Sequence, residues 1–227
     1  MNLQEILDFI NYVSNKEQSG KTFSPNQFNT LLPIVSTELF KQKYKHFEDT
    51  QEITDDLSAF KVWMGKDGVM PLEIDSNGYA LLPTDYFHYS SILYKQVTSN
   101  PDCSISIKNR PVDILTDAQW DSRLSCPITQ PSLKYPIANF QNNFIRFAPK
   151  NIGFVDFVYL KEPIIPVYAY TIDSLTDAVV YDPINSVQLD WGDDSHIEIC
   201  NLLLVKIGIN LKEANLFQYA TMKGKEE

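Results

Sequence analysis

Apolar residues recur at helical spacing at both ends of this chain and give way in the middle to short runs separated by turn signals. Leu3, Ile6, Leu7, Ile10 and Val13 fall on one helical face, and Asn2 with Glu5 three positions on can exchange hydrogen bonds at its start. The spacing predicts a helix over 3–16, broken by the polar stretch 15–21. Ser24-Pro25-Asn26-Gln27 opens a second helix with an N-cap, a proline in its first turn and a glutamine at N3. Phe28, Leu31, Leu32, Val35, Leu39, Tyr44 and Phe47 continue its stripe. Pro33 removes a backbone donor and is expected to kink or restart the helix there. An α-hairpin over roughly the first 48 residues follows.

From Gly65 to about Asp190 the texture is that of strands and turns. Asn77-Gly78 predicts a tight turn into a strand at Tyr79-Ala80-Leu81-Leu82, and Cys103-Ser104-Ile105-Ser106-Ile107 alternates as a half-buried strand would. The clearest hairpin spans Ile137 to Phe147 about Gln141-Asn142-Asn143, with Phe144 and Arg146 facing opposite to Ile145 and Phe147. Further strands are expected over Phe154–Leu160 and Val167–Ile172, and a short helix after Thr116, with Gln119 at N3.

Helical spacing returns at Ser195-His196-Ile197-Glu198, which reads as a capping box, with Ile199, Leu202, Leu203 and Ile207 on one face and Gly208 as the stop. A last, weakly amphipathic helix is expected from Asn210, carrying Ala214, Leu216, Phe217, Tyr219 and Met222 before a charged tail at 223–227. The expected fold is α+β: N- and C-terminal helices (1–64 and 191–227) form a small bundle with an inserted antiparallel β-rich subdomain (65–190).

A chain of 26.0 kDa is long enough to bury roughly 70% of its extended surface without a disulfide or metal. Thirteen Phe, 12 Tyr and 3 Trp supply aromatics for core and interface alike. Nineteen basic residues against 29 acidic ones give a net charge of −10, which repels phosphate backbones and anionic membranes and disfavours general DNA or lipid binding. The sequence also lacks any apolar run long enough to span a bilayer, and its acidic N-terminus is unlike an export signal.

Candidate chemistry is thin. Cys103, Cys126 and Cys200 are odd in number and outside CxxC spacing, so they read as buried thiols in a reducing compartment rather than as a disulfide or zinc framework. His46, His88 and His196 show no ligand pairing, and Asp193 and Asp194 read as helix-start acids beside the last of them. No nucleophile elbow, zinc-protease helix or phosphate loop occurs. Two carboxylates converging in a cleft, as polysaccharide hydrolysis needs, are open to any acid-rich chain. The aromatic run Tyr86-Phe87-His88-Tyr89 could stack sugars or bases, although alternation turns half of it inward. The expectation is therefore a non-enzymatic protein with no cofactor and no metal.

Several segments taken in order carry a resemblance: Leu82-Pro83-Thr84-Asp85-Tyr86, the run from Leu115 to Leu124, Pro131 with Tyr135-Pro136, Pro149, Gly153, Val158 to Pro163 with Pro166, Leu189-Asp190-Trp191 and His196-Ile197-Glu198-Ile199. Together, over about residues 80–200, they resemble virion structural proteins of crAss-like and related Bacteroidetes-infecting short-tailed phages. More distantly the element order resembles tail-tubular or head–tail adaptor subunits. The resemblance implies a homo-oligomeric neck or tail ring joining portal to tail, through which genome DNA passes without specific binding. Its partners are the portal and the neighbouring tail or ring proteins, with no membrane involved. It implies localisation in the virion after assembly in the bacterial host cytoplasm. It brings no catalytic residues, and it implies that the C-terminal stretch docks on the portal or next ring through Leu216, Phe217, Tyr219 and Met222. The alternative is a virion binding module for fibre attachment or for glycan or receptor recognition, using exposed aromatics of the β region.

Overall fold

The computed structural model describes residues 1–14, 23–47, 51–66, 68–99 and 105–211. In chain order the elements begin with α1 (Leu3–Val13), α2 (Pro25–Tyr44), α3 (Gln51–Asp56) and a 3₁₀ turn (Leu57–Phe60). Strands follow: β1 (Lys61–Met64), β2 (Leu72–Glu73), β3 (Tyr79–Leu81), β4 (Tyr86–Ser99), β5 (Ile105–Pro111) and β6 (Asp113–Ile114). After α4 (Asp117–Ser125) come β7 (Ile137–Gln141), β8 (Phe144–Ala148), β9 (Phe154–Lys161), β10 (Tyr170–Ile172) and β11 (Val179–Tyr181), and then α5 (Asp193–Leu211). Helices and largely antiparallel sheets together make the class α+β. The chain divides into two compact units, residues 1–60 with 163–227, and residues 61–162.

In the first unit the local start signals act as the sequence predicts. Glu5 N–H donates to Asn2 Oδ1 and Asn2 N–H to Glu5 Oε2, both at 2.9 Å. Ser24 and Gln27 make the same exchange at the head of α2. α2 runs on through Pro33 without restarting, because burial of Leu32, Val35 and Ser36 around the proline holds the helix where one hydrogen bond is lost. The expected α-hairpin is not the main packing: α1 and α2 each pack against α5, which buries Ile199, Cys200, Leu203, Leu204 and Ile207. α5 begins at Asp193, two residues before the expected cap, so Ser195 lies in its first turn and donates its N–H to Gly192 O. The helix also continues past Gly208 to Leu211, since burial at Ile207 and Gly208 outweighs the ~1 kcal/mol by which glycine disfavours a helix.

Trp191 fills the centre of this unit. Its ring meets Phe60 at 4.6 Å and Phe40 at 6.4 Å, both edge-on, and its indole N–H donates to the buried Ser36 hydroxyl at 2.9 Å. Residues 163–190, expected with the β-rich part, belong here instead. Tyr168 is the reason: its ring packs edge-on against Phe28, its N–H donates to Asn29 Oδ1 at 2.7 Å, and its O–H donates to Gln4. Of the strand expected over Val167–Ile172, only Tyr170–Ile172 pairs as β10, antiparallel to β11, while Val167 makes an isolated bridge to Val187.

The second unit holds two sheets. One has the order β1-β9-β4-β5 with β2 also on β9, and the other the order β3-β8-β7-β6. All pairings in this unit are antiparallel, as expected of the β-rich segment, except β6 with β7, which run parallel. The parallel pair arises because α4 intervenes between the two strands and carries the chain back to the same end. Ile92, Ala138, Ile145, Phe147, Val155, Phe157 and Tyr159 form the core of this unit. The β7–β8 hairpin turns on Asn142-Asn143 with Gln141 opposite Phe144, and Ile145 and Phe147 point inward as alternation predicts. β9 is buried on both faces from Val155 to Leu160, which is why its sequence there runs apolar rather than alternating, apart from Asp156, whose carboxylate is paired with Lys95.

Candidate assembly surface

Several of the polar side chains singled out as candidate chemistry hold the fold together. Lys43 reaches from α2 to Asp56 at 2.7 Å and Glu198 at 2.6 Å, tying three helices together. Burial works against its charge, but the two carboxylates win and hold its ammonium above the ordinary lysine value. His196 is buried with Nδ1 3.0 Å from the Met1 amino group, and burial first, then that ammonium, push its pKa down. His88 stacks on Tyr89 in the other unit. Burial pushes the Cys200 thiol up to about 11, which keeps it protonated and inert. Cys126 is half-buried, and Cys103 lies outside the described residues. Among the described residues no group of three or more His, Cys, Asp or Glu side chains is placed to hold a metal ion.

An open groove of 660 Å³ beside β2 and β3 is lined by Glu73, Asp75, Tyr79 and Phe144 among others. Asp75 Oδ1 accepts the N–H groups of Tyr79 at 2.7 Å and Asn77 at 2.9 Å, and these bonds hold its carboxyl below the usual range. A carboxylate so held stays ionised at neutral pH and is unsuited to protonating a leaving group. Its work is to shape the turn.

The surface is distinctive where aliphatic side chains are held outward on ordered backbone. Leu175 is 92% exposed and Ile184 91% exposed, yet neither sits on a slack loop. Asp173 Oδ1 accepts the Leu175 N–H at 2.9 Å, its Oδ2 accepts the Thr176 hydroxyl at 3.0 Å, and its own N–H donates to Ala178 O. Asp182 repeats the device nine residues on: Oδ1 accepts the Ile184 N–H at 3.0 Å, and Oδ2 accepts the Asn185 side-chain amide at 2.6 Å. The same bonds hold both carboxyls below the usual range, led by the Leu175 N–H at Asp173 and the Asn185 amide at Asp182. Ile172 and Val179, directly opposed in the β10–β11 ladder, are exposed as well.

A second such place lies on the β4–β5 hairpin. Val97 and Ile107 are opposed in register and both are exposed, so the strand expected to be half-buried at Ile107 instead presents that residue to solvent. The expected docking residues Leu216, Phe217, Tyr219 and Met222 lie outside the described residues. The turn aliphatics were not singled out by sequence pattern; the signal that could have found them is the repeated Asp-x-Leu and Asp-x-Ile spacing at 173–175 and 182–184. No family model matches this sequence, and comparison with curated proteins finds no significant match. Among the described residues no helix is long and apolar enough to cross a membrane.

Proposed function

We propose that this chain is a virion structural protein, a subunit of a neck or tail ring that joins portal to tail and continues the DNA ejection channel of a short-tailed phage. The observation that carries the reading is the pair of hydrogen-bonded aspartate turns that hold Leu175 and Ile184 out of the fold. Ordering a backbone costs about 1–2 kcal/mol per residue, and here the Asp173 bonds offset part of it by closing the β10–β11 hairpin with Leu175 left outward. A neighbouring subunit that covers Leu175 adds about 25 cal/mol per Å² of apolar surface removed from water.

The segment order between residues 80 and 200 supports the phage assignment, and the net charge of −10 suits a conduit that lets DNA slide. In this reading the terminal helices form a small bundle, the β-rich subdomain is inserted within it, and the stretch beyond Lys212 meets the portal or the next ring. Electron microscopy of particles with the subunit labelled tests the proposal directly. Density on the axis between capsid and tail is expected, and a subunit found elsewhere, or a ring lumen lined with lysines, overturns it.

One observation favours a binding module as the second reading. Tyr79 and Phe144 meet edge-on at 5.2 Å on the lip of the 660 Å³ groove, beside Glu73, an arrangement of aromatic faces and acid that suits a sugar. Saturable glycan binding by a monomer would favour it.

A further inference from the structure

The β3-β8-β7-β6 sheet has a core face and an outer face. Register and alternation put Tyr79 and Leu81 of β3, Phe144 and Arg146 of β8, and Asn139 of β7 on the outer one, opposite to the buried Ala80, Ile145 and Phe147. Two ring contacts agree with that assignment: Tyr79 and Phe144 meet edge-on at 5.2 Å, and the Arg146 guanidinium lies over the Trp120 ring of α4, 4.9 Å from its centroid. Trp120 packs on Ile137 and Ala148 at one end of the face; Tyr79 and Leu81 stay exposed, and Phe144 and Arg146 are half-buried. Among the described residues no carboxylate pairs with Arg146. Asp117, at the head of α4, accepts instead from the side-chain amide of Asn139, the register neighbour of Arg146, at 3.0 Å. The indole takes one face of the guanidinium and none of its N–H donors, which lie in the guanidinium plane.

We propose that this outer face binds an acidic sugar, a pyranose bearing a single carboxylate and set among neutral sugars. Arg146 pairs with the carboxylate through two parallel N–H···O bonds, its plane oriented beforehand by the stack on Trp120. The sugar lays its C–H bonds, slightly positive, on the negative ring faces of Tyr79 or Phe144. Exposed Glu73, which lines the groove with these two aromatics, accepts sugar hydroxyls and by its charge keeps the carboxylate at the Arg146 end. The ligand is an acid because the charge left without a protein partner on this face is a cation, and a sugar because aromatic rings and a hydroxyl acceptor lie beside it. Its carboxylate is single because one arginine does not hold a run of anionic groups against Glu73 and a net charge of −10. The proposal rests on the glycan reading and deepens it, and it is independent of the ring reading.

The test titrates the full chain with neutral oligosaccharides capped by a single glucuronate, galacturonate or sialate, each beside its carboxyl-reduced form. At least one acidic probe is expected to bind tenfold or more tighter than its reduced form. Arg146→Gln is expected to bring that pair level while leaving affinity for the reduced form unchanged, and Tyr79→Ser to weaken both forms alike. Arg146→Lys, which keeps the charge without the paired geometry, is expected to fall between parent and Arg146→Gln. Circular dichroism and urea midpoints establish that the variants fold. Should Arg146→Gln not fold, changes in the ring resonances of Tyr79, Phe144 and Trp120 when the acidic probe is added to the parent locate the site, and their absence overturns it. Equal binding of acidic and reduced forms overturns the acid assignment and leaves the glycan reading standing. A preference that survives Arg146→Gln overturns the site. An acidic peptide that binds as tightly as the best sugar overturns the sugar assignment. Binding by none of the oligosaccharides overturns this proposal and the glycan reading together and leaves the ring reading untouched.

Discussion

At Gly65 the backbone has φ +94°, and a β-carbon added there would lie 2.1 Å from Asp156 Oδ1. That carboxylate is buried in β9 and takes the Lys95 ammonium at 2.7 Å, so it has no easy retreat. Gly65→Ala is therefore expected to lower stability by about 1–3 kcal/mol, read as a lower urea midpoint at unchanged slope. Gly68 at φ +84° has nothing within 4 Å, so Gly68→Ala shows the backbone part of the cost alone and is expected to fall short of Gly65→Ala. His196 gives a second residue-level expectation. Burial, reinforced by the Met1 ammonium, lowers its pKa below 6.5 in the folded chain. Below pH 6.5 the unfolded chain takes up a proton that the folded chain still refuses, so stability is full above that pH and declines as pH falls toward the folded value. Urea midpoints at pH 7.5 and 5.5 should differ more for the parent than for His196→Gln. What was legible at this scale was local: Asn2 with Glu5, and Ser24 with Gln27, announce their bonds within four residues. Gly65 and His196 owe their roles to Asp156 and Met1, 91 and 195 positions away, and no pattern in their neighbourhood signals that.

Among elements, the β7–β8 hairpin was readable because its two strands are adjacent and its turn residues are diagnostic. Asn142 stands at φ +41° between Gln141 and Asn143, a conformation that asparagine tolerates and a β-branched residue does not. Asn142→Val is thus expected to cost about 1–2 kcal/mol. Loss of amide protection confined first to β7 and β8, by hydrogen exchange, is the result to look for; uniform protection with an unchanged midpoint would refute the argument. Elements whose partners are distant were less legible. The periodicity of α1 and α2 was plain, but nothing in it says that each packs against α5 rather than on the other. The span 163–190 looks like part of a β region by composition, yet the main-chain N–H and C=O of Tyr168 both bond the side-chain amide of Asn29 across 139 residues. Exposed aliphatics escape periodicity arguments altogether, since Leu175 and Ile184 are placed by turn hydrogen bonds and not by alternation.

For the molecule as a whole, the division into units predicts how the chain behaves when cut. Residues 61–162 are continuous, and they contain both larger sheets, α4, and the core built on Ile145, Phe147, Phe157 and Tyr159. At roughly 100 residues such a segment is of the size that folds alone. Residues 1–60 are of a different kind. The apolar faces of α1 and α2 pack on α5, Lys43 needs Glu198, and Phe40 and Phe60 close on Trp191, all of which lie beyond residue 190. Helices of this length are marginal in water without a partner for their apolar face. A fragment of residues 61–162 is accordingly expected to give dispersed amide resonances and a single cooperative unfolding transition, whereas a fragment of residues 1–60 gives neither until residues 163–227 are supplied in trans. A 1–60 fragment that folds cooperatively by itself would show that α5 and Trp191 are dispensable to that core. A 61–162 fragment without a cooperative transition would show that its two sheets do not enclose a self-sufficient core.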